Sequence, residues 1–381
     1  MSATETTSKI FVTAPGRVNL LGEHVDYNGG VVLPVAIDRR VSLTAHPQPG
    51  NWVSLQAVDL SQSVAFSLNQ LDEKIDSNGA PLPSWALYPA GVAWVLNNHN
   101  YKVKGTHVSF TSDIPMGAGL SSSAAVEVAF AALWQIMGGW ETDRLTLAKY
   151  CQEAENQYVG VNCGLMDQFA SANGVEGHAL FFDTRNLEWH PAPLPPGTVL
   201  IIANSNIPHS LANSAYNERR ADCEEAVAKL KIALPGIHYL RDVSPAQFDQ
   251  HAGLLSVREE KRARHVVEEC ARMDPALEAL NNGDATAFGQ LMNECHHSLR
   301  DLYEVSTPEL DILAEIAQAL PGCYGARLTG AGFGGCTVNL VKTDQANAFI
   351  HALGDKYTQA TGIKSDIYLC RASRGVEARR L

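Results

Sequence analysis

The chain has 381 residues, 29 of them basic and 41 acidic, and its formal net charge of −12 argues against general binding to nucleic acid or to an anionic membrane surface. Hydrophobic residues make up 45% of the sequence, so a large core can be buried in about two or three domains. The longest apolar stretch, residues 126–137, contains Glu127 and Gln135 and is too short and too polar to span a bilayer.

The cysteines and the N-terminus bear on the compartment. Eight cysteines are scattered without any CxxC pair, which favours buried free thiols in a reducing environment. Residues 1–9 are polar and lack the apolar segment of a secretory signal, so we expect a cytoplasmic protein. The run Cys295–His296–His297 has no second pair at ligand spacing, and we predict no zinc site there.

Hydrophobic periodicity predicts both strands and helices in the first half of the chain. Apolar runs and alternation predict strands at residues 9–14, 53–58, 107–111, 178–182 and 199–203. Helical spacing predicts helices at residues 121–137 and 142–158.

The second half is more helical. Amphipathic patterns predict helices at residues 213–234 and 259–273, and apolar runs predict strands at residues 324–328 and 337–341. The proline-rich segment 190–197 is the best candidate for a linker. The layout predicts an α+β fold in two lobes, with an N-terminal domain at residues 1–195, a C-terminal domain at residues 196–381 and a cleft between them.

Segment 14–30 (APGRVNLLGEHVDYNGG) concentrates polar side chains after a strand that Pro15–Gly16 is expected to break. Within ten residues it places four polar side chains: Arg17, Glu23, His24 and Asp26. Carboxylates accept hydrogen bonds and imidazole can donate or accept, so this group could grip several hydroxyls of a sugar. The alternative is a solvated surface turn.

Segment 113–125 (DIPMGAGLSSSAA) leads directly into the apolar helix. Gly117 and Gly119 allow backbone N–H groups to approach a ligand closely. The serines, residues 121–123, lie where the helix begins, and a helix start offers unpaired N–H donors that suit phosphate. A serine hydroxyl could also ligate Mg²⁺. The segment lacks the lysine of a Walker A loop, and the alternative is a linker with an ordinary serine cap.

Segment 153–168 (EAENQYVGVNCGLMDQ) carries two candidate carboxylates. Glu155 lies on the same helical stripe as Cys151 and Tyr158, where a carboxylate is either paired or bound to a cation. Asp167 follows a glycine-containing loop that could present it to a cleft, although it could instead cap a short helix.

Segment 328–336 (LTGAGFGGC) contains the spacing GxGxxG. A dinucleotide-binding fingerprint requires a helix after the glycines, whereas a strand-like CTVNLV follows here, which disfavours that interpretation. Two alternatives stay open: a glycine hairpin that joins two strands, or a glycine loop that closes over the phosphates or the sugar.

In their order and spacing, these segments resemble the galactokinase branch of the GHMP small-molecule kinase family, from about Val12 to Cys370. The resemblance implies an N-terminal lobe like ribosomal protein S5 and a ferredoxin-like C-terminal lobe. It implies transfer of the γ-phosphoryl group of ATP, with Mg²⁺, to the anomeric hydroxyl of α-D-galactose, the first committed step of galactose catabolism.

The resemblance also assigns roles to individual residues. Asp167 would be the catalytic base, and Arg17 would stabilise the transition state. The sugar would be bound by Glu23, His24, Asp26, Gly164 and Tyr216. ATP phosphates would be wrapped by Gly117, Ala118, Gly119, Leu120, Ser121, Ser122 and Ser123. Ser123 and Glu155 would hold Mg²⁺.

Three other functions remain alternatives. The first is a kinase for N-acetylgalactosamine, another sugar, mevalonate or homoserine. The segment EHVDY argues for a sugar, but it does not exclude an acetamido group at C2. The second is a non-catalytic galactose and ATP sensor that acts on a transcriptional partner. Sensor relatives lack a Ser-Ala pair that this chain keeps at residues 121–125, so we favour the enzyme and expect no obligate protein partner. An NAD-dependent oxidoreductase is the third.

Overall fold

The computed structural model describes residues 9–115, 117–207 and 212–381. Most of the polar N-terminal segment and Met116 of the glycine–serine segment therefore lie outside the described residues.

Thirteen strands are present in the described part of the chain. They are β1 (Ile10–Asn19), β2 (Val31–Val32), β3 (Pro34–Pro47), β4 (Trp52–Ala57), β5 (Gln62–Ser67), β6 (Thr106–Ser112), β7 (His178–Asp183), β8 (Trp189–Pro193), β9 (Thr198–Asn204), β10 (Cys323–Thr329), β11 (Cys336–Lys342), β12 (Asp366–Cys370) and β13 (Glu377–Arg380).

Eleven α-helices accompany the strands within the same described ranges. They are α1 (Ser84–Asn98), α2 (Ser122–Gly138), α3 (Arg144–Glu153), α4 (Met166–Asn173), α5 (Ala212–Leu230), α6 (Pro245–His251), α7 (Val257–Ala271), α8 (Met273–Asn281), α9 (Ala285–Ser298), α10 (Pro308–Ala319) and α11 (Ala346–Thr361). Every strand and helix predicted above overlaps one of these elements, and the α+β prediction is confirmed.

The strands form three sheets. A six-stranded sheet has the order β13-β1-β3-β6-β4-β5, and its strand pairs are antiparallel except for β4 with β6. A four-stranded antiparallel sheet has the order β10-β11-β9-β12, and a small antiparallel sheet has the order β2-β7-β8. Helices α2 and α4 pack on β1 and β3, whereas α9 and α10 pack on β10. The last strand returns to the first sheet, where Ile10 pairs with Arg380.

Strand β1 corrects the expectation that Pro15–Gly16 ends it. The strand continues to Asn19, and its register against β3 shifts between Pro15 and Arg17. A bulge of this kind bends a strand and re-aims the next side chain. A Cβ atom on Gly16 would lie 2.6 Å from the carbonyl oxygen of Leu120, so glycine allows the strand to approach the loop before α2.

The linker prediction was wrong for its first half. Residues 190–193 belong to β8, which pairs with β7 at the edge of its sheet. Prolines are tolerated there because an edge strand leaves one row of N–H positions unpaired. Only residues 194–197 connect this strand to β9.

The helix predicted at residues 142–158 changes its winding partway. After α3, residues Ala154–Val159 form a π-helical turn. Such turns occur frequently at functional sites because they shift the side chains that follow. Here Glu155 is 6% exposed, in agreement with its predicted apolar stripe.

Two further expectations can be compared with the fold. All eight cysteines are free, and five of them are buried, as predicted. Among the described residues, no helix is both long and apolar enough to cross a membrane.

Candidate active site

A pocket of about 270 Å³ lies where the two lobes meet. It is formed by the loop after β1, the loop before α4, the first turns of α5 and the glycine loop between β10 and β11. All seven residues predicted to act on or bind the sugar line it: Arg17, Glu23, His24, Asp26, Gly164, Asp167 and Tyr216. Four segments that are distant in sequence therefore converge on one cavity.

A two-point ion pair joins Arg17 and Asp167 at this cavity. Arg17 Nε and Nη2 each lie 2.8 Å from a different oxygen of the Asp167 carboxylate. The third guanidinium nitrogen, Nη1, donates to the carbonyl of Gly119 at 2.6 Å. The Asp167 side chain keeps 28% of its surface exposed, so the paired carboxylate still faces the pocket. The bulge in β1 is what turns Arg17 toward this position.

Ser121 holds the same carboxylate instead of capping α2. Its Oγ donates to Asp167 Oδ2 at 2.5 Å, and it has no side-chain capping bond to the helix. Its positive φ of 58° turns the chain sharply before the helix. The alternative of an ordinary serine cap is therefore wrong, and the first N–H groups of α2 have no capping side chain.

Asp167 does not cap α4 either. It lies inside the first turn of that helix, whose N-cap residue is Leu165, and no side chain caps the helix there. Its carboxylate is used by Arg17 and Ser121.

The predicted phosphate loop presents backbone to the cleft. The side chains of Ala118 and Leu120 are buried in the core, at 0% and 2% exposure. Gly117 and Gly119 both have positive φ, a conformation that glycine adopts without strain. Ser122 and Ser123 are the first two residues of the helix that follows the loop.

The polar residues of segment 14–30 are largely buried, which excludes the alternative of a solvated surface turn. Glu23 and His24 are 3% and 5% exposed, and Asp26 is half-buried. Burial first, and then the nearby carboxylates of Asp167 and Glu23, raise the pKa of Asp26 to about 6. The site therefore holds more negative charge than it compensates by itself.

His24 is fixed on both ring nitrogens. Nδ1 lies 2.8 Å from the hydroxyl of Tyr27, and Nε2 lies 3.1 Å from the carbonyl oxygen of Ala331. Burial, together with His265 nearby, lowers the pKa of His24 to about 3, so the ring is neutral. A neutral ring satisfies both contacts if Nε2 donates to Ala331 and Nδ1 accepts from Tyr27. The imidazole thus connects segment 14–30 to the glycine loop.

A second group of carboxylates lies deeper in the cleft. Burial, followed by the charge of Asp167, raises the pKa of Glu155 to about 7, while Cys163 and Gln168 donate hydrogen bonds to its Oε2 atom. Gln168 Nε2 lies 2.5 Å from Glu155 Oε2 and 3.0 Å from Glu127 Oε2, so it bridges the two carboxylates. The two predicted Mg²⁺ ligands lie near each other, because the Ser123 side chain is close enough to lower the pKa of Glu155.

A cation would relieve this excess of negative charge. Within the described ranges, no group of three or more His, Cys, Asp or Glu side chains could hold a metal ion.

A smaller apolar pocket of about 190 Å³ was missed at the sequence level. It lies beside the first turn of α2, and Ser122, Ser123 and Val126 are among the residues that line it. Trp85 and Tyr88, one turn apart on α1, form its aromatic wall. Their spacing of three residues was a readable signal, since such residues share a helix face.

The glycine loop is the hairpin that one of the two alternatives predicted, and its closure over a ligand stays a prediction. It joins antiparallel strands β10 and β11, and no helix follows it, which excludes the dinucleotide fingerprint. It also reaches the site, because Gly330 and Ala331 line the larger pocket. A Cβ on Gly330 would lie 3.3 Å from the carbonyl of Gly119, so the two glycine loops approach each other closely.

Comparison with known proteins agrees with this geometry. Family models match at three places: the galactokinase galactose-binding signature at residues 3–47, the GHMP kinases N terminal domain at residues 88–175 and the GHMP kinases C terminal domain at residues 276–359. A galactokinase of Roseiflexus sp. is 47% identical over 96% of this chain and 92% of its own length. A galactokinase of Haemophilus influenzae is 41% identical over 97% of this chain and 94% of its own length.

Solved structures give the same result. A crystal structure of Lactococcus lactis galactokinase complexed with galactose superposes with a TM-score of 0.91 at 35% identity, covering 100% of this chain and 97% of that one. The mevalonate kinase of Methanococcus jannaschii, at 20% identity and a TM-score of 0.66 over 97% of this chain and all of its own, shares the fold. The predicted two-lobed fold and the resemblance are confirmed, and the chain belongs to the galactokinase family of GHMP kinases.

Proposed function

We propose that this enzyme transfers the γ-phosphoryl group of ATP to the anomeric hydroxyl of α-D-galactose, giving galactose 1-phosphate and ADP. The observation that carries the proposal is the bidentate Arg17–Asp167 pair, which lies between the acceptor-rich pocket and the start of α2. Phosphoryl transfer depends mainly on positioning and charge stabilisation, and this arrangement supplies both.

The larger pocket suits a monosaccharide. Glu23, Asp26 and Asp167 offer carboxylate acceptors for hydroxyl groups, and Tyr216 closes one side. Gly164 provides a flat backbone surface next to Asp26. In this proposal these groups, with His24, hold the anomeric hydroxyl toward the phosphates.

The nucleotide is expected to extend along the start of α2. The backbone of residues 117–121 and the N–H groups of the first helical turn face the phosphates in this proposal, since a helix start favours anions. The apolar pocket with Trp85, Tyr88 and Val126 is a suitable site for the adenine ring. It borders Ser122 and Ser123, so base and phosphates could be bound side by side.

Ser123 and Glu155 would hold Mg²⁺ together with phosphate oxygens, and Gln168 would orient the Glu155 carboxylate. When bound, the ion neutralises phosphate charge and fixes the geometry of the triphosphate. A chain with a net charge of −12 repels an anionic nucleotide, so local positive groups of this kind are needed.

The roles of the two paired residues follow from their geometry. Asp167 accepts the proton of the anomeric hydroxyl late, once bonding to phosphorus has begun, because a carboxylate is a weak base at neutral pH. Arg17 and Ser121 keep the Asp167 carboxylate in one orientation. Arg17 also offsets charge on the transferring group.

The eight free thiols favour a reducing compartment, and we infer a cytoplasmic location.

The test is a panel of acceptors with Mg-ATP in which ADP release is measured. Galactose, N-acetylgalactosamine, mevalonate and homoserine are compared with a reaction without acceptor. We expect turnover with galactose to exceed that with each other acceptor by about a hundredfold or more, since a lost or added polar contact in a buried site costs that much. Preferential phosphorylation of N-acetylgalactosamine, or galactose binding without ADP release, would refute the proposal.

A further inference from the structure

Three side chains of the C-terminal lobe hydrogen-bond to the loop that carries Glu23. Arg327 of β10 donates to the Glu23 carboxylate, and His265 Nε2 lies 3.1 Å from the Glu23 carbonyl oxygen. Glu269 Oε1 accepts from the backbone N–H of Gly22 at 2.7 Å. Two consecutive residues of the loop are therefore held by three polar contacts from α7 and β10.

Arg327 is the least expected member of this group. Its side chain is fully buried at 0% exposure, yet it does not line the sugar pocket. Nε donates to the carbonyl of Leu328 at 2.7 Å, and Nη2 donates to Glu23 Oε2. Nη1 has no hydrogen-bond partner among the described residues. Burying a guanidinium group with one nitrogen unsatisfied costs free energy. We therefore expect the Arg327 side chain to provide a benefit that offsets this cost.

The charges around Arg327 are balanced in pairs. Glu23 and Glu269 supply two carboxylates, and Arg327 and Arg272 supply two guanidinium groups, with Arg272 Nη1 2.8 Å from Glu269 Oε2. Burial lowers the pKa of His265 to about 4, so that ring is neutral and adds no charge. Loss of Arg327 would leave Glu23 as a buried carboxylate with no direct ion pair in the described chain.

We propose that Arg327 is a positioning residue for sugar recognition. Its bond to Oε2 holds the Glu23 carboxylate in one orientation, so that the rest of the carboxylate can accept hydrogen bonds from hydroxyl groups of the sugar. The inference rests on the proposed function, because it assumes that the pocket beside Glu23 takes galactose. Glu23 lines that pocket while its Oε2 atom is bonded to Arg327 on the buried side.

The alternative is that Arg327 only stabilises the fold. The two roles make different predictions, because Arg327 does not itself line the pocket and is hydrogen-bonded to the pocket residue Glu23. A positioning role must weaken sugar binding, depend on the Glu23 carboxylate and spare the transfer step at Asp167. A stabilising role would lower the melting temperature and leave the galactose affinity of the folded fraction unchanged.

The experiment compares Arg327→Met in the wild-type and Glu23→Gln backgrounds. Galactose affinity is measured by calorimetry without nucleotide, and kcat, both KM values and the melting temperature are measured alongside. We expect Arg327→Met to weaken galactose binding by about tenfold or more, as lost charged hydrogen bonds do, with ATP KM within about twofold. In the Glu23→Gln background, the same change should alter galactose affinity by less than about threefold.

Arg272→Met is the matched control, since Arg272 pairs with Glu269 in the same cluster and has no bond to Glu23. It should lower the melting temperature and leave galactose affinity unchanged. Arg327→Lys keeps the charge without the planar fork, so it should fold and bind galactose with intermediate affinity. If Arg327→Met does not fold, Arg327→Lys decides the question.

The inference is overturned by wild-type affinity in the Arg327 variant that folds, by an undiminished effect in the Glu23→Gln background, or by an equal loss of affinity in Arg272→Met. A wild-type enzyme that neither binds nor phosphorylates galactose would instead refute the proposed function itself. The two failures are therefore distinguishable.

Discussion

Gly164 and Asp26 fit so closely that a Cβ atom on Gly164 would lie 1.8 Å from Asp26 Oδ2. The carboxylate rests on the backbone of the loop before α4, although 138 positions separate the two residues (164 minus 26). A side chain at position 164 would clash with Asp26 in its present position. A substitution of Gly164 therefore tests whether Asp26 binds the sugar.

Gly164→Ala is expected to displace Asp26 and raise the KM for galactose by about tenfold or more, with a much smaller effect on the KM for ATP. Steady-state kinetics with each substrate varied in turn will measure the difference. Gly236→Ala is the control, because nothing lies within 4 Å of a Cβ built at that glycine. Equal effects on the two KM values would contradict the assignment of Asp26 to the sugar.

Asp167→Asn should lower kcat by about two to four orders of magnitude, which is the usual contribution of a general base. The asparagine keeps the size of the side chain and can still accept a bond from Ser121 or Arg17, so the fold is expected to survive. Rapid-quench measurement of the transfer step, with nucleotide affinity from calorimetry, will separate catalysis from binding. A kcat near the wild-type value would remove Asp167 from the mechanism.

Arg17→Lys tests orientation separately from charge. A lysine ammonium cannot reproduce two parallel bonds to Asp167 and a third to the carbonyl of Gly119. We expect kcat to fall by about tenfold to a hundredfold while ATP affinity stays within about threefold, because the positive charge remains. If Arg17→Lys retains full kcat, the guanidinium acts as a point charge and the geometric argument fails.

Val126→Phe tests the apolar pocket as the adenine site. Val126 is half-buried and lines the pocket of about 190 Å³, so a larger phenyl group at this position would take up part of the space for the base. The KM for ATP should rise by about tenfold, whereas galactose affinity measured without nucleotide should not change. Val257→Phe, at a position that is 75% exposed, controls for the added bulk. An unchanged KM for ATP would place the base elsewhere.

The sequence predicted local structure well where one pattern dominates. The apolar helix after the serines, the buried Glu155 stripe and the strand after the glycine cluster were all readable from periodicity. The bulge at Pro15–Gly16 was not, because it depends on the close approach of β1 to the carbonyl of Leu120. Whether Pro15 breaks or bends its strand is decided by that tertiary contact.

The site was assembled from a family resemblance, since spacing alone cannot bring distant segments together. Arg17 and Asp167 are 150 positions apart, and their pairing depends on how α4 packs on β1. Arg327 lies 304 positions from Glu23 and stands in an ordinary strand pattern, so no local signal marks it as buried. Long-range ion pairs of this kind are specified by the fold as a whole.

His265 makes the stability of the fold depend on pH in a direction that can be stated. Its pKa is lowered by burial from 6.5 to about 4, so below pH 6.5 the unfolded chain binds a proton that the folded chain refuses. Stability is therefore lost as the pH falls through 6.5 toward 4, by about 2 kcal/mol between pH 7.5 and pH 5 from this residue. His24, with a pKa of about 3, acts in the same direction, whereas Asp26, with a pKa of about 6, opposes it.

Urea unfolding at pH 7.5 and pH 5 should show a smaller loss of stability in His265→Gln than in the wild type, because glutamine does not titrate. An equal loss in both proteins would mean that the imidazole is protonated in the folded state, which its burial between the Glu23 carbonyl and the Ser298 hydroxyl argues against.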